Sequence, residues 1–192
     1  MIITEDKTRV DPRVKRTRAL IENAFLSLMA EKSFNTITVQ EITDRAEINR
    51  ATFYAHFIDK YDLFDHIITQ SFRTELDKRT LSACHYSETN LNALLLTVCD
   101  FVNQRIATCR TRDPQFESLV ENQVKKQVQE LLQAWYAEIG SPIDSMIHAT
   151  AAAWAIYGLA VYWGRDEDHA PLEQYVARIT PLIKNMLLPD VH

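Results

Sequence analysis

Only three glycines, Gly140, Gly158 and Gly164, and six prolines punctuate 192 residues. A chain with so few turn-formers lacks the means to build a hairpin-rich β fold and points instead to long helices with short connections. The apolar pattern agrees. Leu20, Ile21, Ala24, Phe25, Leu28 and Met29 recur at three- and four-residue spacing, the period of a helix with one buried face. With 46% of residues apolar, a sizeable core can form. The expected fold class is all-α, with about nine helices.

Helix boundaries crowd together between Ile37 and Phe64. Asp11-Pro12 reads as an N-cap followed by proline at the first helical position, and that helix ends near Lys32–Phe34. Thr38 and Glu41 have capping-box spacing, and Ile37 and Ile42 form a hydrophobic staple. Asn49 reads as the next N-cap, so the helix opened at Thr38 ends by Ala46 and the following one, from Arg50, by Phe57. Asp59 caps a third start, with Ile58 and Leu63 as its staple. Helices of about two turns do not persist alone. Val39, Ile42, Ala46, Ile48, Phe53 and Phe57 can supply a shared core against the first helix. Gln40, Arg50, Ala51, Thr52, Ala55 and His56 are then left with no core to fill.

Short helices joined by a tight turn describe a helix-turn-helix, whose last helix enters the major groove with its N-terminal residues at base edges. Arg50 can donate to guanine, Thr52 to several base edges, and the methyl of Ala51 or Ala55 can meet thymine. Tyr54, His56, Lys60 and the Thr38 hydroxyl suit phosphate oxygens.

The run from Ala46 to Lys60, AEINRATFYAHFIDK, followed by an apolar helix, resembles the DNA-binding signature of the tetracycline-repressor (TetR/AcrR) family over about residues 12–64. The resemblance implies an all-α homodimeric regulator with a three-helix DNA-binding domain, residues 1–58, and a larger effector-binding and dimerisation domain, residues 59–192. It implies that Gln40, Arg50, Ala51, Thr52 and Ala55 lie near bases and that Thr38, Tyr54, His56 and Lys60 lie at phosphates. Glu47 departs from the pattern, since the family usually has glycine in that turn. A left-handed Glu47 would carry roughly 1–2 kcal/mol of strain.

Net charge is −5, but it is unevenly placed. Residues 1–60 hold 10 Lys/Arg against 9 Asp/Glu, and residues 61–192 hold 11 against 17. Lys7, Arg9, Arg13, Lys15, Arg16 and Arg18 make one small basic region on an acidic body, the footprint of a nucleic-acid contact.

Beyond Lys60 the helices lengthen. One runs to near Ser82 and another from Ser87 to about Cys109. A third, opening at Asp113-Pro114, reaches Ile139 with one expected break. Ser141-Pro142 caps a helix running to about Gly164, and Pro171 opens the last, with Pro181 as an expected kink. The small-residue stripe Ala149, Ala153, Ile156 and Ala160 suits a close helix approach across a two-fold axis. An effector pocket would draw on Phe72, Phe101, Trp135, Tyr136, Trp154 and Tyr157, with Cys99, Arg105 or His148 as polar handles.

Other classes find little support. There is no Gly-rich phosphate loop, no HExxH and no G-x-S-x-G, so no catalytic residue is assigned and no enzyme is expected. Cys84-His85 lacks further spaced ligands, so no metal and no cofactor is expected. Three cysteines without paired spacing fit a reduced, cytoplasmic protein. The N-terminus lacks an apolar signal region, and the longest apolar segment, Ala149–Trp163, falls short of a membrane span. The function expected is a homodimeric regulator of double-stranded DNA, a repressor released from a pseudo-palindromic operator by a small-molecule effector. The alternative is a co-regulator of the same fold controlled by a partner protein.

Overall fold

The computed structural model describes residues 11–80, 85–108, 114–139 and 144–188. Lys7, Arg9, Cys84, Cys109, Asp113 and the Ser141-Pro142 cap lie outside them, as does the Arg105 side chain. Eight helices occur among the described residues: α1 (Pro12–Glu31), α2 (Val39–Arg45), α3 (Arg50–Tyr54), α4 (Lys60–Asp77), α5 (Glu88–Thr108), α6 (Pro114–Ile139), α7 (Ser145–Arg165) and α8 (Leu172–Leu187). A 3-10 turn, Phe34–Thr36, follows α1, and no strand occurs among the described residues. The chain divides into two compact units between Ile67 and Ile68, inside α4.

In the first unit the caps act as their spacing demands. Asp11 accepts from the Arg13 amide at 2.8 Å, with Pro12 opening α1. Thr38 accepts from the Glu41 amide at 3.3 Å, and the Glu41 carboxylate reaches back to the Thr38 amide at 2.9 Å. α2 ends at Ala46 in a left-handed turn: Glu47 has φ 54°, its amide donates to Asp44 at 3.3 Å, and the Ile48 amide donates to Thr43 at 3.0 Å. These two reversed bonds satisfy carbonyls that the helix end would leave bare. Asn49 restarts the chain, accepting from the Thr52 amide at 2.7 Å.

The two short helices survive because the core holds them. Ile42 and Phe53 are fully buried, and Phe57 is nearly so. Phe34 anchors the set edge-on to Phe25, Phe64 and Tyr61 at 6.1, 5.4 and 5.2 Å between ring centres. Arg45 forks onto Glu31 at 2.7 and 2.8 Å and onto Ser27 at 2.7 Å, tying α2 to α1.

In the second unit α7 is the central helix, packed on α5, α6 and α8. Ala149, Ala153, Ile156 and Ala160 are fully buried inside this unit. The stripe expected at a dimer axis is therefore intramolecular: small side chains let α5 and α6 close on α7. α6 also differs from expectation, being one helix of 26 residues with no break. No Gly or Pro falls between Gln115 and Ile139, and Val120, Val124, Val128, Leu132 and Trp135 form an uninterrupted buried row. Gln123, also buried, donates its side-chain amide to the Thr69 hydroxyl of α4 at 2.6 Å. α7 starts at Ser145, capped by Asp144, which accepts from Met146 and Ile147 at 3.1 and 3.3 Å. Pro181 lies within α8 without ending it. No helix among the described residues is long and apolar enough to cross a membrane.

Candidate nucleic-acid interface

α3 is only five residues long, and its single buried side chain, Phe53, fixes which face turns outward. Arg50, Ala51, Tyr54 and Ala55 are exposed, while Thr52 and His56 are half-buried. The Tyr54 ring rests edge-on against Phe53 at 5.5 Å, which orients it and leaves its hydroxyl end at the surface. The Thr52 hydroxyl donates to Asn49 Oδ1 at 2.9 Å, leaving its lone pairs as acceptors.

Around α3 the other expected contacts differ in how free they are. Gln40 is exposed on α2 and its amide donates to Asp44. The Thr38 hydroxyl is exposed but donates to Glu41 Oε2 at 2.9 Å. A phosphate there meets a carboxylate as well as a helix start. That carboxylate is held far below the ordinary carboxylate range, at about 2, chiefly by its bond to Lys32 and then by the Thr38 amide and hydroxyl.

Lys60 stands apart from the rest. Its ammonium donates to the main-chain carbonyls of Phe34, Asn35 and Ile37 at 3.0, 3.0 and 2.9 Å and lies 4.8 Å from the centre of the Phe34 ring. All three of its protons are engaged, and burial lowers its pKa. Lys60 thus clamps the 3-10 turn to the start of α4, and reaching a phosphate requires giving up one of these carbonyls. On α1, Arg13, Lys15 and Arg16 are exposed, whereas Arg18 is half-buried over the Phe57 ring at 5.7 Å.

Residues 21–67 match the profile of bacterial regulatory proteins of the tetR family. An HTH-type transcriptional regulator of Bacillus subtilis (strain 168), YxbF, is 38% identical over 80 residues, 41% of this chain and 21% of its own length. Another, from Haemophilus influenzae, is 40% identical over 55 residues, 29% of this chain and 27% of its own. A solved TetR-family regulator from Streptomyces coelicolor A3 shares the fold with a TM-score of 0.67 at 17% identity, covering 94% of this chain and 98% of that one. One from Streptococcus agalactiae 2603V gives 0.56 at 20% identity, covering 90% and 96%. Residues 21–67 form a tetR-family domain.

The chain spans about a fifth to a quarter of the length of the curated relatives it matches. Its likeness to the solved tetR-family structures, at 17% and 20% identity, is one of fold.

In the second unit, beyond the tetR-family domain, a cavity of about 340 Å³ opens between α6 and α7. Of the residues expected around an effector, Trp154 and Tyr157 line it. Phe72 and Phe101 pack edge-on at 5.6 Å in the core, and Trp135 packs on Tyr86 at 5.8 Å. The Tyr136 hydroxyl donates to the Leu187 carbonyl at 2.7 Å. These four are interior packing residues here and do not line the cavity, because the apolar rows that carry them meet neighbouring helices. Burial pushes the Cys99 thiol up to about 12, so it stays protonated and inert. The His148 ring lies against the Met186 carbonyl, with Nδ1 at 3.1 Å. The cavity's charged residues, Glu117, Glu121 and Lys125 of α6 and Arg165 at the end of α7, escaped notice in the sequence, although the i, i+4 spacing of the first three places them on one face of α6. No cluster of metal-ligating side chains occurs among the described residues.

Proposed function

We propose that this chain is a homodimeric transcriptional repressor that reads a pseudo-palindromic operator and is released by a small-molecule effector. One observation carries the reading: a helix of five residues, α3, buries one side chain and leaves Arg50, Ala51, Tyr54 and Ala55 outside. A helix that contributes so little to the core is retained for what its surface touches. Arg50, Ala51, Thr52 and Ala55, with Gln40 beside them, read base edges in the major groove. Thr38, Tyr54 and His56 meet phosphates and set the register. Lys60 joins them only by exchanging a carbonyl for a phosphate oxygen.

Dimerisation supplies the second half-site, since two recognition helices about 34–36 Å apart read successive major grooves. The outer face of α7 and α8 suits the contact, with Ile147 65%, Tyr162 70% and Leu182 53% exposed. The effector acts by favouring the dimer conformation whose helix spacing does not fit the operator. Such a protein works where the chromosome is, in the cytoplasm.

The test is selection of bound sequences from random duplex DNA, followed by affinity of the winner against salt. A palindromic winner whose affinity falls steeply with salt supports a dimeric, phosphate-anchored reader. No enrichment and no salt dependence would reject it and move attention to a partner protein.

A further inference from the structure

Lys125 projects from α6 into the cavity, where its ammonium lies 4.3 Å from the centre of the Trp154 ring and 5.5 Å from that of Tyr157. It is ion-paired with Glu121, one turn earlier, and Glu117 follows a turn before that on the same face. Two aromatic faces and the Glu121 carboxylate hold one ammonium in a groove that Glu117 and Arg165 also line, and ring faces and carboxylates both attract positive charge. We propose that this groove is a binding site for a small organic cation, an ammonium carrying an apolar or aromatic body, which takes the place of the Lys125 ammonium.

Several independent features support the assignment. Trp154 is 61% exposed, an indole kept out of the core that serves no packing role there. The volume of about 340 Å³ lies in the range that drug-sized molecules fill. Gly158 leaves the groove open, since a Cβ placed on it would meet nothing within 4 Å. The Tyr157 phenol is pushed up to about 12, first by burial and then by Glu121 and Glu117, with Arg165 opposing. An anion would face the Glu117 and Glu121 carboxylates and the negative faces of the rings, with Lys125 already committed to Glu121 and Arg165 left as the other lining cation. Exchange is balanced in charge: the incoming ammonium takes over Glu121 and the ring faces, and Lys125 swings out on its flexible stem into water. The site itself stands on the geometry of the groove. That the cation is the effector rests on the repressor reading above.

The experiment is titration of the full chain with benzyltrimethylammonium, read by calorimetry, with benzoate as the anionic control. Saturable binding is expected, with Glu121→Gln weakening it by about tenfold. Lys125→Met should tighten binding, because it removes the built-in competitor. Gly158→Leu should abolish it while the circular dichroism spectrum and solution mass stay those of the wild type. The proposal is overturned if neither the wild type nor Lys125→Met binds the cation, if Gly158→Leu leaves binding intact, or if benzoate binds more tightly and needs Lys125. Release of the selected operator is measured separately. Cation binding without release supports the site and rejects the effector reading; release by other molecules without cation binding does the reverse.

Discussion

Glu47 holds a backbone conformation that an L side chain adopts only with strain, because its Cβ crowds the following carbonyl. Glycine there escapes the clash but loses more entropy on folding. The strain is larger, so Glu47→Gly should stabilise the chain by about 1 kcal/mol in urea unfolding. An unchanged midpoint would mean the strain only matches glycine's entropy cost. At Arg50 the effect should appear in recognition. Arg50→Ala should cost about 1–3 kcal/mol of operator affinity and relax preference at one base pair in each half-site. Tyr54→Phe should weaken all sequences alike. The place of the turn was legible, because capping signals at Thr38 with Glu41 and then Asn49 bracket it, but its left-handed conformation at Glu47 was raised only by the family resemblance, which has glycine there. The Lys60 clamp was not. Its three carbonyls lie 23 to 26 residues away, and which carbonyls turn toward an ammonium is decided by the packing of Phe34.

At the level of elements, α2 is too short to stand by itself and is tied at both ends, by Arg45 to Glu31 and by Glu41 to Lys32. The Glu41 tie makes a pH signature. Its carboxyl is depressed from an ordinary 4.5 to about 2 in the folded chain. A depressed carboxyl stabilises the fold above its unfolded pKa and loses that stabilisation as pH falls through the folded one. Unfolding midpoints should therefore drop between pH 4.5 and 2, and Glu41→Gln should flatten that part of the profile. The ends of α6 were read from the sequence at Asp113-Pro114 and Ile139, but the one break expected inside it is absent. The charges line an open groove while the row from Val120 to Trp135 continues beneath them.

For the whole molecule, the alanine stripe of α7 shows where sequence reasoning meets its limit. Small residues at helical spacing announce close packing but not whether the neighbour belongs to the same chain. Ala149 and Ala160 turned out to face α5 and α6, and the apolar surface left over is on the opposite side, at Ile147 and Tyr162. Tyr162→Asp should convert the proposed dimer to a monomer in light scattering and lower operator affinity by roughly a hundredfold, since the second half-site then binds without tethering. A dimer of unchanged mass would place the two-fold axis elsewhere. One bond also bears on how a signal could be stored. Gln123 lies between Glu121 and Lys125 on α6, yet its buried amide is held by Thr69, two residues past the division inside α4. Sliding α6 along α4 would strand that amide at a cost of about 1–3 kcal/mol. In the effector-released repressor proposed above, the bond would act as a detent, favouring a switch between discrete helix registers over gradual drift.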